Sequence, residues 1–257
     1  MVTCSKINTN TVGLFGNKLF IVSTLIGLAK KHNDEVILPG FPTWEYGHCF
    51  KHPLKTQQEL PQIQHIYSEP FFHYAEIEYL PNLDIRGYYQ SEKYFKHAEN
   101  LVRHYLEPRD EIVEKIKKNY PVVFNERCVS IHVRRGDYLN YPDIHQACGI
   151  EYYMNAMEEV KGLVDKYVIF SDDIEWCKGT FVSEKNDVVF VENQSNFEDM
   201  FLMSNCQHNI IANSSFSWWG SWMNKNPDKK VVMPKIWFGP KGQPDWQDIY
   251  PEGIIKI

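Results

Sequence analysis

The second half of this chain repeats one alternation: a short apolar, β-branched run, then a stretch with helical spacing, then another run. The runs fall at 128–133, 167–170, 188–191, 209–212 and 230–233. Between them, 151–164 puts Tyr153, Met157, Val160 and Val164 on one helical face. Ser195 and Glu198 form a capping box ahead of Phe197, Met200 and Phe201. Such alternation predicts a parallel sheet covered by helices on both faces, a Rossmann-like layer.

The first half is less regular. Gly13-Leu14-Phe15-Gly16-Asn17 leads into a helix expected over 17–32, followed by a strand at 35–38. Strands are expected at 77–80 and 85–89, and helices at 92–106 and 109–119, separated by Pro108. The stretch 39–74 is rich in Pro, His and aromatic residues and carries no clear period. A length of 257 residues accommodates two domains of about 100–150 residues. We place them at 1–124 and 125–257, with the Trp- and Pro-containing tail from Asp245 packing back across the boundary.

Composition narrows the function classes. The net charge of −6 does not favour nucleic acid, whose phosphates need a basic footprint. It leaves room for a small anion in a locally basic pocket. Aromatic residues make up 14% of the chain, a supply that suits packing against sugar C–H faces but also an ordinary core. The longest mainly apolar stretch, 19–29, is too short to span a bilayer and contains Ser23 and Thr24. The first ten residues are polar, so neither a signal peptide nor a transmembrane segment is expected. The six cysteines are scattered with no C-x-x-C pair, which fits reduced thiols. A cytoplasmic protein is therefore expected, with peripheral contact to a membrane left open and the sequons at Asn193 and Asn213 never read.

Three motifs carry chemistry. His132-Val133-Arg134-Arg135-Gly136-Asp137-Tyr138 follows a predicted strand directly, and ligand crevices of open α/β sheets lie at such carboxyl ends. Adjacent arginines offer a diphosphate bidentate, charge-assisted bonds. The plainer account is an ion pair with Asp137. Asn213-Ser214-Ser215-Phe216-Ser217-Trp218-Trp219-Gly220 also follows a strand and opens a helix, whose free N–H groups suit an anion. Here the plainer account is helix capping, with the tryptophans as core. Ser171-Asp172-Asp173 ends a third strand, where a carboxylate can accept from a ribose or a base, or cap the next helix. Convergence of the three at one sheet describes a nucleoside diphosphate pocket. The sequence has no P-loop and no G-x-G-x-x-G, which argues against a kinase and a dehydrogenase.

H-x-R-R-G-D-Y resembles the donor-binding motif of the α-1,2-fucosyltransferase family, glycosyltransferase family 11. The Asn213–Gly220 block is similar to a second family motif. Gly87-Tyr88-Tyr89-Gln90-Ser91-Glu92-Lys93-Tyr94-Phe95 looks like a third, and Ile249-Tyr250-Pro251-Glu252-Gly253 resembles the family's C-terminal end. The resemblance implies an α/β fold of GT-B type, with two Rossmann-like domains facing a cleft. The acceptor side would be 1–124 and the GDP-sugar side 125–257. It implies inverting transfer from GDP-fucose to a glycan acceptor, galactose O2 in this family, with no metal and no other cofactor. The sequence has no metal-binding D-x-D, in keeping with that. By position, Arg134 and Arg135 would bind the pyrophosphate, with His132 and Asp137 orienting them or touching donor. Ser214, Ser215 and Phe216 would hold the phosphate and fucose end, Asp172 the nucleoside, and Gly16 and Asn17 would reach across the cleft. Asp137, Asp143 and His132 all stand as candidates for the proton acceptor. Two departures bear on the acceptor: Lys18 stands where the family usually has an amide, and the chain is short between 40 and 85. Another GDP-sugar or linkage is the first alternative, and a non-catalytic nucleotide- or glycan-binding protein is the remote one.

Overall fold

The computed structural model describes residues 1–39 and 46–257. The chain forms two compact units, Met1–Asp110 with Asp245–Pro251, and Glu111–Pro244 with Glu252–Ile257.

The first unit contains β1 (Val2–Thr3), α1 (Phe15–His32), β2 (Ile37–Pro39), β3 (Lys55–Gln57), β4 (His65–Ser68), β5 (Leu83–Arg86) and α2 (Glu99–Tyr105). Its strands run parallel, in the orders β1-β5-β4 and β2-β3, and a parallel bridge from Val2 to Val36 links the two sets. Helix α1 begins at Phe15, so Gly16 and Asn17 stand in its first turn. It is buried on several faces, from Phe15 and Leu19 to Leu25 and Ile26. Asn33 stops it in the left-handed conformation (φ 51°), and Lys30, Lys31 and His32 complement the negative end of the dipole.

Two expectations change here. Residues 77–80 form no strand. Tyr79 instead stacks on His32 (4.0 Å between ring centroids) and donates to Asp34 Oδ2 at 2.9 Å, so side chains hold this segment to the end of α1. The partner of β5 is β4, whose Ile66 is 54% exposed; a strand with no buried alternate face leaves little periodicity to read. The helix expected over 92–106 is two short 3-10 turns, Glu92–Tyr94 and Lys96–Ala98, followed by α2. Part of the aromatic-rich stretch, residues 40–45, lies outside the described residues.

The second unit contains α3 (Asp110–Asn119), α4 (Val122–Asn125), β6 (Cys128–Val133), α5 (Ile150–Glu158), β7 (Lys166–Ser171), α6 (Ile174–Thr180), β8 (Val188–Phe190), α7 (Asn196–Asn205), β9 (His208–Ile210), α8 (Ser215–Met223), β10 (Val231–Met233) and β11 (Ile255–Lys256). The units divide after Asp110 rather than after 124 because α3 and the turn behind it are tied to the second unit. Lys115 Nζ lies 2.6 Å from Glu198 Oε1, and Tyr120 Oη both donates to and accepts from the Glu192 backbone at 2.9 Å. The parallel sheet has the order β11-β10-β9-β6-β7-β8. On one face of its centre, Val129, Ile131, Val133, Ile169, Ile210 and Val232 pack with Tyr153 and Ala156 of α5. Each such buried side chain contributes roughly 1.5–3 kcal/mol relative to exposure. The capping box at Ser195 and Glu198 forms as expected. Trp218 and Trp219 are fully buried, and Gly220 lets α8 approach Met203 of α7. None of the six cysteines is in a disulfide, and no described helix is long and apolar enough to cross a membrane.

Candidate active site

The order of the sheet places the site. The chain runs outward from β6 through β7 to β8, then returns to the other side of β6 as β9. Crevices form where strand order reverses in this way, at the carboxyl ends. The three motifs read from the sequence end β6, β7 and β9, which are adjacent. Tyr138 ties two of them together: its hydroxyl, buried, donates to the carbonyl of Asn213 at 2.9 Å.

Both arginines are bracketed by carboxylates. Arg134 Nη2 donates to Asp137 Oδ1 at 2.6 Å, and its Nη1 lies 2.9 Å from Asp172 Oδ2. Asp172 also accepts the backbone N–H of Arg135 at 2.9 Å, so it fixes the turn leaving β6. Arg135 Nε donates to Asp173 Oδ2 at 3.0 Å, and its guanidinium lies 4.0 Å from the centre of the Trp176 ring. Of the paired aspartates at the end of β7, Asp173 caps α6 by accepting from Trp176 N and also holds the Arg135 side chain, while Asp172 holds Arg134 and the Arg135 amide. The pairs are unequal. The Asp137 side chain is 56% exposed, and an ion pair of that kind is worth only about 0–1 kcal/mol. An incoming diphosphate can take its place beside Arg134 at little cost.

His132 is 5% exposed, its Nδ1 has no partner, and its ring meets Phe216 edge-on at 5.3 Å. Burial, with Arg134 adding to it, lowers its pKa to about 3. It is therefore a neutral imidazole at physiological pH and a poor proton acceptor, since general bases work best with pKa values near the operating pH. Its backbone carbonyl accepts from Tyr153 Oη at 3.3 Å. Behind Arg134, His145 stacks on Tyr138 at 4.6 Å. Asp143 lies 2.7 Å from Lys241 Nζ.

Helix α8 starts with Ser214 at its N-cap position, yet the Ser214 hydroxyl caps nothing. Asn213 does not cap either. It is 2% exposed, and its Nδ2 donates to the carbonyls of Gln146 (3.0 Å) and Trp237 (2.9 Å). That burial also removes Asn213 as a glycosylation acceptor. The tryptophans of this block are core, whereas Ser215 and Phe216 are half-buried in the first turn. Arg134, Arg135, His132, Asp137, Asp172, Ser214, Ser215 and Phe216 thus all belong to one strand-end surface of the second unit.

Gly136 is required by close packing, because a Cβ there would collide with Asp172 Oδ2. Gly136→Ala is expected to displace Asp172 from Arg134 and from the Arg135 amide. Hydrogen bonds to charged groups contribute roughly 1.5–3 kcal/mol, so a loss of about tenfold or more in turnover follows, with the fold retained. Steady-state rates and melting temperature on the same preparation check this; unchanged turnover would remove Asp172 from the site.

Gly16 and Asn17 belong to the first unit. There Asn17 Oδ1 accepts from Gln90 Nε2 at 2.8 Å, so the N-terminal loop and the Gly87–Phe95 block are one constellation. Gln90 carries no local sequence signal of this contact, and neither do Tyr138, Trp176 and Glu69, whose partners are distant in sequence. Among the described residues, one group has metal-ligating spacing: His52, His104 and Glu107, in the first unit. The two imidazoles stack at 3.8 Å with planes 15° apart, His52 Nε2 lies 3.3 Å from Glu107 Oε2, and Glu107 is also held by Lys51 at 3.1 Å.

The sequence profile described as Glycosyl transferase family 11 matches residues 3–251. The chain belongs to glycosyltransferase family 11. An Escherichia coli protein named alpha-1,2-colitosyltransferase is 38% identical to this family member over 166 residues, covering 61% of this chain and 57% of its own length. The galactoside alpha-(1,2)-fucosyltransferase 1 of Alouatta belzebul is 25% identical over 233 residues, covering 82% of this chain and 63% of its own. The chain thus spans less than two thirds of the length of these relatives. Among solved structures, POFUT1 in complex with GDP superposes with a TM-score of 0.60 at 12% identity, over 90% of this chain and 97% of that one. The fucosyltransferase NodZ from Bradyrhizobium gives 0.54 at 16% identity, over 86% and 90%. At such identities the likeness establishes the fold, a GT-B-like α/β architecture.

Proposed function

We propose that this family 11 member is an inverting transferase that moves L-fucose from GDP-fucose to O2 of a galactose in a glycan acceptor. The observation that carries the reading is the meeting of Arg134, Arg135 and the start of α8 at the switch point of the parallel sheet, in a chain matched by the family over residues 3–251. Two guanidinium groups and a helix N-terminus suit a pyrophosphate.

The acceptor hydroxyl attacks the anomeric carbon opposite the departing GDP. The new C–O bond forms as the bond from carbon to the β-phosphate oxygen breaks, and its electron pair leaves with GDP. Positive charge grows on the sugar and negative charge on the diphosphate, and fixed donors aimed at such developing charge supply the largest catalytic term. Arg134 and Arg135 are assigned that role. When the diphosphate displaces Asp137 from Arg134, the freed carboxylate is the better of the candidate acceptors for the hydroxyl proton, since His132 stays neutral and Asp143 is engaged by Lys241. GDP bound in this way needs no resident metal. Transfer is expected to persist in excess EDTA; loss on chelation with recovery on Mn²⁺ or Mg²⁺ would overturn the metal-free mechanism.

A second reading of the donor has its own support. The E. coli relative at 38% identity is named for colitose rather than fucose. Colitose is the 3-deoxy analogue of fucose, so the same diphosphate site could serve it. Product analysis tests the proposal: with GDP-fucose and a galactoside acceptor, NMR should report an α-linked fucose on O2. A β-linkage would refute inversion, and substitution at another hydroxyl would refute the acceptor assignment. We place the protein in the cytoplasm, in keeping with its free cysteines.

A further inference from the structure

Residues 87–89 make an elbow that the fold holds under strain. Tyr89 has φ 52°, a left-handed conformation costly for a bulky side chain, and Gly87 has φ 151°. Just past β4, Glu69 folds over this elbow. Its Oε2 accepts from Tyr88 N at 2.7 Å and its Oε1 from Tyr89 N at 2.9 Å. Only glycine fits at 87, because a Cβ would collide with the Glu69 side chain. The Glu69 N–H bonds to the Arg86 carbonyl at 2.8 Å, so the carboxylate is registered to β5 from which the elbow springs. Tyr89, fully buried, donates to the Arg86 carbonyl at 3.1 Å and meets Tyr94 edge-on at 5.3 Å. The next residue is Gln90, 7% exposed, whose amide reaches Asn17.

We propose that Glu69 is a positioning residue of the transferase: its carboxylate locks the Gly87–Tyr89 elbow so that Gln90 is delivered to Asn17. The proposal rests on the transferase reading and, within it, on the role that the family resemblance gives the loop bearing Asn17. A carboxylate chelating two successive backbone N–H groups is a costly arrangement in a buried setting, and among the described residues no cation is paired with it. The groups facing Glu69 are the phenols of Tyr67 on β4, of Tyr89, and of Tyr94 on the turn that follows; Arg86 turns its guanidinium to Asp84, with Nε 3.3 Å from Oδ2. Burial, opposed by the two N–H bonds, raises the Glu69 pKa to about 7.

The sign of the pH dependence separates positioning from mere support. The unfolded carboxyl titrates near about 4.3. With the folded value raised, the stability linked to Glu69 is fully present below that and falls as pH rises through about 7. Turnover runs the other way, because a protonated carboxyl can no longer accept both N–H groups. The test uses the full chain, with turnover, KM, GDP affinity and melting temperature measured from pH 5 to 9. Variants are Glu69→Gln, Gln90→Ala, Asn17→Ala and Glu69→Gln with Asn17→Ala. Glu69→Gln keeps the side-chain shape and one acceptor, and is expected to fold, to lose about tenfold in kcat with GDP affinity unchanged, and to lack the rise in kcat near pH 7. The double variant is expected to be no slower than Asn17→Ala alone. If Gln90→Ala and Asn17→Ala are impaired while Glu69→Gln turns over normally, keeps the rise, or adds its loss to theirs, the positioning role is overturned. If Asn17→Ala and Gln90→Ala turn over normally, the reading of the loop fails first, and the proposal with it.

Discussion

Arg134→Ala is expected to lower turnover about 10²–10³-fold, the loss seen when a strong donor to developing negative charge is removed. Its guanidinium stands at the end of the central strand β6, paired with Asp172 at 2.9 Å and with the more exposed Asp137 at 2.6 Å, whose place the proposed diphosphate would take. Alanine leaves Asp137 and Asp172 without their shared cation, so donor affinity should fall together with kcat. The fold should survive, since Arg134 is not part of the buried core formed by Val129, Ile131 and Val133 of β6. Turnover at saturating GDP-fucose and the melting temperature of the same sample decide the matter. Near-wild-type turnover in a folded variant would remove Arg134 from catalysis.

The second large effect is expected at Asn17. A helix cap would be the ordinary explanation of an asparagine after a loop, and its loss would cost roughly 0.5–2 kcal/mol of stability. The structure rules that out: the helix starts at Phe15 with Leu14 at the cap position, and the Asn17 side chain is bonded to Gln90. Asn17→Ala is expected to cut transfer about 10²-fold, because misplacing a positioned group by an ångström is enough for that. GDP affinity should hold, since the diphosphate is assigned to the second unit. Calorimetry with GDP beside the transfer rate separates the two. A parallel fall in GDP affinity would mean that Asn17 binds the nucleotide, and normal turnover would leave it a structural residue only.

How legible the site was depended on how local its signals are. Strand β6 and the middle of β7 are buried on both faces and rich in Val, Ile and Phe, so they stood out within a residue or so, and the motifs behind them could be placed at strand ends from sequence alone. Strand order could not be read, yet it makes β9, β6 and β7 neighbours and so brings the motifs together. Side-chain partners were the least legible. Asp172 and Asp173 look equivalent in sequence, but one caps α6 and the other brackets Arg134. His132 looked like a base until its burial was known. Glu69 gave no sign of its role, because the elbow it holds lies about twenty residues on, in contacts through backbone N–H groups that any residue could offer.

The central claim is that the strand-end pocket of the second unit delivers fucose from its guanosine diphosphate carrier. The most direct test is a turnover comparison across GDP-fucose, GDP-colitose, GDP-mannose and UDP-sugars, with the same galactoside acceptor and with EDTA present. The account predicts release of GDP coupled to product with GDP-fucose, and no transfer from UDP-sugars. Transfer from a UDP-sugar, or none from GDP-fucose while GDP-mannose or GDP-colitose serves as donor, would contradict it.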